Sequence, residues 1–170
     1  MQDKAVAVQK YKELVRSLED TPRRIKQLVS DLGESKLRER SHEKTWSVVE
    51  HICHLRDIEK EGYAVRITKL LTEDQPLLED IDGDKLAVER AYINQDFESA
   101  LEAFINARAV NIEAIRDLSP SQLSRSGMFD NSALSLLDLL NKMREHDQEH
   151  INELAQLTSS LNNGGGRSPR

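Results

Sequence analysis

At 170 residues the chain suits one domain with a single substantial core. A net charge of −6 excludes the basic face that displaces phosphate counterions, so no nucleic-acid partner is expected. No apolar run approaches the ~20 residues of a membrane span, the N-terminal MQDKAVAVQK lacks the apolar stretch of a signal peptide, and Cys53 stands alone, so no internal disulfide can form; a cytoplasmic, reducing setting is expected.

The elements follow in chain order. A first helix is predicted from Lys4 to about Leu32, with a kink or restart at Asp20-Thr21-Pro22, where proline suits a first helical position. Beyond the break Ile25, Leu28, Val29 and Leu32 recur at helical spacing, and Gly33 stops the run. A second helix spans Ser47 to about Leu71. It opens on Ser47-Val48-Val49-Glu50, a capping box in which hydroxyl and carboxylate each satisfy an orphan backbone N–H. Residues 72–92 read as a long acidic loop, with a short helix at Lys85 to Ala91. A third helix runs from Asp96 to Leu118, Ser119-Pro120 opens one short turn, and Gly127 to Asn131 is a turn-rich connection. A fourth helix covers Ser135 to about Leu161, and residues 162–170 read as a disordered tail. No segment alternates convincingly as a strand. The fold class is therefore all-α: a four-helix bundle over residues 1–161, with a long crossover between helices 2 and 3.

The five histidines fall mostly into two groups. Glu50, His54, Asp57 and Glu61 share a narrow stripe of the second helix, at spacings of four, three and four, while His51 lies roughly 60° away. On the fourth helix His146 and His150 are i and i+4, so both rings lean over one face and can reach one ion. Three imidazoles around a divalent cation leave a coordination position open, the arrangement of catalytic rather than structural zinc. Neutral ligands leave the cation its full Lewis acidity. Glu50, Asp57, Asp147 and Glu149 are the nearby carboxylates that can fix ring tautomers by accepting the distal N–H; Glu50 and Glu149 are also candidate bases.

Plainer readings stand beside these. Glu50 is fully explained by its cap, Trp46 by a hydrophobic staple before it, His42 by a solvated loop, and Cys53 by a small buried apolar role. HDQEH matches the H-x-x-E-H metalloprotease string, but the short helical chain and the third candidate His54, in place of a distal Glu, speak against a protease. A ferritin-like di-iron site needs Glu-x-x-His on two helices, and the helices offer only Asp147-x-x-His150.

Trp46-Ser47-x-x-Glu50-x-x-x-His54-Leu55-x-Asp57, paired with His146-Asp147-x-Glu149-His150, resembles the DinB/YfiT-like superfamily of metal-dependent enzymes. The likeness extends to Thr21-Pro22, Arg108 and the segment from Leu118 to Leu123. It implies an antiparallel four-helix bundle, commonly a homodimer, with a divalent metal (Zn, Ni or Fe) held by His54, His146 and His150; His51 is not a ligand in that pattern. Members of the superfamily include thiol S-transferases and isomerases that use bacillithiol or mycothiol. Related domains occur in iron enzymes of ergothioneine synthesis, which carry a further catalytic domain.

The expected function is therefore a metal-dependent transferase that delivers a low-molecular-weight thiol cosubstrate, such as bacillithiol, to a small electrophile. The alternatives are a hydrolase that uses a metal-bound water, and a non-catalytic helical bundle that binds metal or serves as a dimeric interaction module.

Overall fold

A computed structural model describes residues 2–164. Seven α-helices and three short strands are present among them: α1 (Gln2–Val29), α2 (Val48–Asp57), α3 (Ala64–Thr72), β1 (Leu77–Leu78), α4 (Gly83–Glu89), α5 (Phe97–Ile115), α6 (Pro120–Leu123), β2 (Ser126–Phe129), β3 (Ser132–Ser135) and α7 (Leu136–Gly164). α2 and α3 are joined through a π-helical turn, Ile58–Tyr63, into one long rod. That rod with α1, α5 and α7 makes the four-helix bundle. α7 runs three residues past Leu161, so the expected disordered tail is helical to Gly164; residues 165–170 lie outside the described ones.

Local chemistry accounts for the helix starts. Ser47 and Glu50 form the anticipated capping box, and Ser119 and Gln122 form a second one in front of α6. Asp96 caps α5 and Asp82 caps α4 by accepting backbone N–H bonds from Ser99 and Lys85, at 2.8 and 3.0 Å.

Two expectations fail. α1 is continuous through Pro22, with no restart. Proline cannot donate to the carbonyl of Leu18 four residues back. That carbonyl instead accepts from Arg108 Nη1 at 2.8 Å, so a side chain from α5 fills the position the ring vacates. The chain also contains strands. β1 pairs parallel with β2, and β2 pairs antiparallel with β3. The Gly127–Asn131 connection is thus mostly strand, closed by a two-residue turn in which Asp130 and Asn131 both have positive φ (46° and 61°), the twist a tight hairpin demands. Strands of two and four residues are too short to carry a period-two signal.

The crossover, residues 73–96, is tied to the bundle by arginines. Arg66 donates to the Glu79 carbonyl at 3.0 and 2.7 Å, and Arg125 to the carbonyls of Leu70 and Glu73. α4 packs on α2, which brings the crossover over one end of the helices.

The core is apolar above and below a polar layer. One cluster gathers Ile25, Ile52, Leu55, Phe104 and Leu154; the other gathers Leu18, Ile67, Ile115, Leu139 and Met143. Between them each long helix contributes a buried polar side chain at the same level: Thr21, Glu59, Arg108 with Asn111, and Asp147. Arg108, 2% exposed, donates two bonds to Glu59 (2.8 and 2.9 Å) and two to Asp147 (2.7 and 2.8 Å). Asn111 donates to Glu59 at 2.8 Å and Thr21 to Asp147 at 2.7 Å. The bidentate geometry offsets desolvation of the three charges and admits only one axial register of the helices.

Candidate metal centre

Next to this layer the histidines of α2 and α7 face one another. His54 Nε2 is 3.0 Å from His146 Nε2, which is 3.2 Å from His150 Nε2. Ligand nitrogens at ~2.1 Å from one ion stand roughly 3.0–3.4 Å apart for bond angles of about 90–110°. Both pairs that share His146 therefore have the spacing of ligands to one ion, and the ligand atoms of all three residues lie within 4.8 Å of one another. The ring chemistry fits as well. Burial and the mutual proximity of the rings push His54 down to about 3 and His150 down to about 2, and burial lowers His146. All three are neutral near pH 7 and present lone pairs.

Each ring is placed by its helix. The capping box starts α2 at Val48, so His54 falls on the inward side of its second turn; α7 needs no bend for His146 and His150 to share a face. Gly83, at the start of α4, closes over His54: an added Cβ there would sit 2.4 Å from its Cε1 and 2.7 Å from its Nδ1. Trp46 has its ring 4.7 Å from His54 and lies parallel to His150, at 6.1 Å with 4° between planes. Its contacts are thus with the imidazoles, a role the staple reading did not include.

The carboxylates singled out in the sequence are engaged elsewhere. Glu50 closes the capping box and receives two bonds from Arg40. Burial alone would raise its pKa, but the Arg40 and Ser47 bonds outweigh it and hold the group below the usual range. Asp57 accepts from Arg56 (2.6 Å), Arg90 (2.7 Å) and Tyr92 (2.7 Å), which likewise overcome burial and lower it. Asp147 belongs to the Arg108 layer, and Glu149 is exposed on the outer face of α7. None of the four has a hydrogen bond to an imidazole. Their helical spacing to the histidines is right, but guanidinium groups from distant segments reach them first.

The carboxylate that does meet a ring is Glu153, whose Oε2 is 3.0 Å from His150 Nδ1. The sequence reading missed it, although its i,i+3 spacing from a ligand candidate is the signal. His51 is buried beside it, its Nδ1 3.0 Å from His150 Nδ1 and 3.7 Å from Glu153. Burial pushes His51 down to about 4. The Nδ1 atoms of His54 and His146 are buried without a partner. His42 is exposed, as its loop suggested. Cys53 is buried on the far side of α2, its Sγ 3.6 Å from Gln95 Oε1, and burial raises its thiol to about 11; it is no nucleophile.

A cleft of about 680 Å³ opens beside the site. Trp46, His51, His150 and Glu153 line it together with Lys44 and Asp84, and of the three facing histidines only His150 is among its lining residues. Access to the three rings is thus from the His150 side.

Residues 17–154 match the family model described as the DinB superfamily. The chain belongs to the DinB superfamily. Two similar proteins come from Oceanobacillus iheyensis, each named "Putative metal-dependent hydrolase". One is 26% identical over 146 residues, covering 85% of this chain and 84% of its own length; the other is 24% identical over 164 residues, covering 95% and 91%. The solved structure of YfiT from Bacillus subtilis, described as "a probable metal-dependent hydrolase with an unusual four-helix bundle topology", superposes with a TM-score of 0.83 at 20% identity. It covers 91% of this chain and 89% of its own, a likeness of fold. Among the described residues no helix is long and apolar enough to cross a membrane.

Proposed function

We propose that this DinB-superfamily chain is a metal-dependent enzyme in which His54, His146 and His150 hold one divalent cation and a low-molecular-weight thiol is transferred to a small electrophile. The carrying observation is the set of three neutral Nε2 atoms, on two buried rings and the half-buried ring of His146, spaced at 3.0 and 3.2 Å beside an open cleft. When bound, the cation supplies Lewis acidity that makes a coordinated thiol or water nucleophilic near neutral pH. The protein side of the chemistry is positional. Trp46 and Gly83 restrict the rings of His150 and His54, and the approach from the cleft leaves one flank of the trio for substrate. A thiol needs no strong base to lose its proton in such a site. That suits a centre whose carboxylates Glu50 and Asp57 are already neutralised by arginines.

Hydrolysis is the second reading, favoured by the names of the two Oceanobacillus relatives. Zinc- or nickel-loaded protein incubated with bacillithiol, mycothiol or glutathione and an alkylating electrophile separates the two. Thiol-dependent consumption of the electrophile, abolished by His54→Ala, is the expected result. Turnover of ester or amide substrates without any thiol would transfer the assignment to hydrolysis, and no turnover in either assay would remove both.

A further inference from the structure

Only one of the three imidazoles has anything to hold its second nitrogen. The Nδ1 atoms of His54 and His146 are buried with no partner, whereas His150 Nδ1 meets Glu153 Oε2 at 3.0 Å. We infer that Glu153 is a positioning residue of the metal centre: it accepts the Nδ1 proton of His150 and so keeps Nε2 unprotonated and turned toward His54 and His146. The inference rests on the three-histidine reading proposed above.

A neutral imidazole carries one proton. A nitrogen that ligates a cation must be the bare one, so the proton sits on the other, and a carboxylate there selects the tautomer and the ring angle. The separations suit both conditions. His150 Nε2 is 3.2 Å from His146 Nε2, on the opposite side of the ring from Glu153. Glu153 follows His150 by three residues, so its carboxylate lies over the same face of α7. Trp46 stacks parallel to the His150 ring and limits its tilt, while His51 Nδ1, 3.0 Å from His150 Nδ1, offers a lone pair to the same proton.

His51, His150 and Glu153 also lie close enough together to be ligands of a second cation. That use is incompatible with the first. His150 would have to give up its remaining proton and bridge two cations as an imidazolate, whereas as a hydrogen-bond donor it needs no change. The cluster therefore supports the trio, and it places Glu153, with its side chain 55% exposed, between the cleft and the ligand ring.

The test uses Zn²⁺ as the probe and the full chain. Zinc affinity is measured by competition with a chromophoric chelator for wild type, Glu153→Ala and Glu153→Gln, and the His150 tautomer in the zinc-loaded protein is read from long-range ¹H–¹⁵N spectra. Wild type is expected to take up one equivalent with His150 protonated at Nδ1. Glu153→Ala should bind roughly 10–100-fold more weakly, and Glu153→Gln should recover part of that loss, because its amide oxygen still accepts the N–H bond. Glu153 is at the surface, so folding, checked by circular dichroism, is not at stake. Wild-type affinity in Glu153→Ala, or equal losses in the Ala and Gln variants, would each overturn the inference while leaving the three-histidine site intact; a His150 protonated at Nε2 in the zinc-loaded protein would take that nitrogen out of the ligand set and overturn both. Two equivalents of zinc would overturn it in favour of a second cation site. No zinc uptake by wild type would instead remove the three-histidine reading, and the role of Glu153 with it.

Discussion

Gly83→Ala is the substitution that most directly tests whether the His54 ring is fixed in place. The new methyl carbon would stand 2.4 Å from Cε1 and 2.7 Å from Nδ1 of His54. Carbon atoms in contact normally keep about 3.5 Å, so one partner must retreat by roughly 1 Å. The backbone is no obstacle, since no glycine among the described residues has positive φ, and alanine is the better helix former by about 1 kcal/mol. The ring has little room, being 7% exposed and packed against Trp46 at 4.7 Å. Metal–nitrogen distances tolerate only about 0.2 Å. A shift of that size at His54 should therefore weaken zinc binding at least ~10-fold, or about 1.4 kcal/mol, while the melting temperature of the metal-free protein stays within a few degrees of wild type. Isothermal titration with Zn²⁺ and thermal denaturation of the apo-protein measure the two. Unchanged zinc affinity in Gly83→Ala would refute the reasoning, because α4 rather than the imidazole would then be the part that yields.

Further outcomes follow from the same contacts. Arg108→Ala strands Glu59 and Asp147 in the core without their shared counter-ion and should cost about 3–5 kcal/mol in urea unfolding; a loss below about 1 kcal/mol would mean the layer is hydrated. Ser47→Ala removes one arm of the α2 capping box and should cost roughly 1 kcal/mol by the same measurement, with Ser47→Asp retaining most of it. The metal-free protein should lose stability as pH falls below about 6.5. His51, His54 and His150 have folded-state values lowered to about 4, 3 and 2, so from the ordinary histidine value downward the unfolded chain takes up protons that the folded one refuses. By pH 5.5 each ring contributes a loss of roughly 1.4 kcal/mol. A melting temperature that is flat between pH 7 and 5.5 would contradict the burial of these rings in a neutral state.

What the sequence by itself determined is what short-range rules encode. Helical periodicity and the Ser47–Glu50 capping box placed the four long helices, and i,i+4 spacing put His146 and His150 on one face. The family pattern paired them with His54, and the structure brings the three rings together. Tertiary structure decided what depends on partners far along the chain. The carboxylates with the right spacing, Glu50 and Asp57, are taken by Arg40 and Arg90, whose reach no local pattern records. α1 stays continuous through Pro22, where Arg108, 86 residues later by its number, supplies a donor to the Leu18 carbonyl. The small sheet exists because β1 meets β2 across the crossover, where strands of two and four residues leave no period to read. Backbone periodicity is a property of neighbours within one or two turns, whereas the competition for a buried charge is settled by whichever groups the packed helices bring within hydrogen-bond distance.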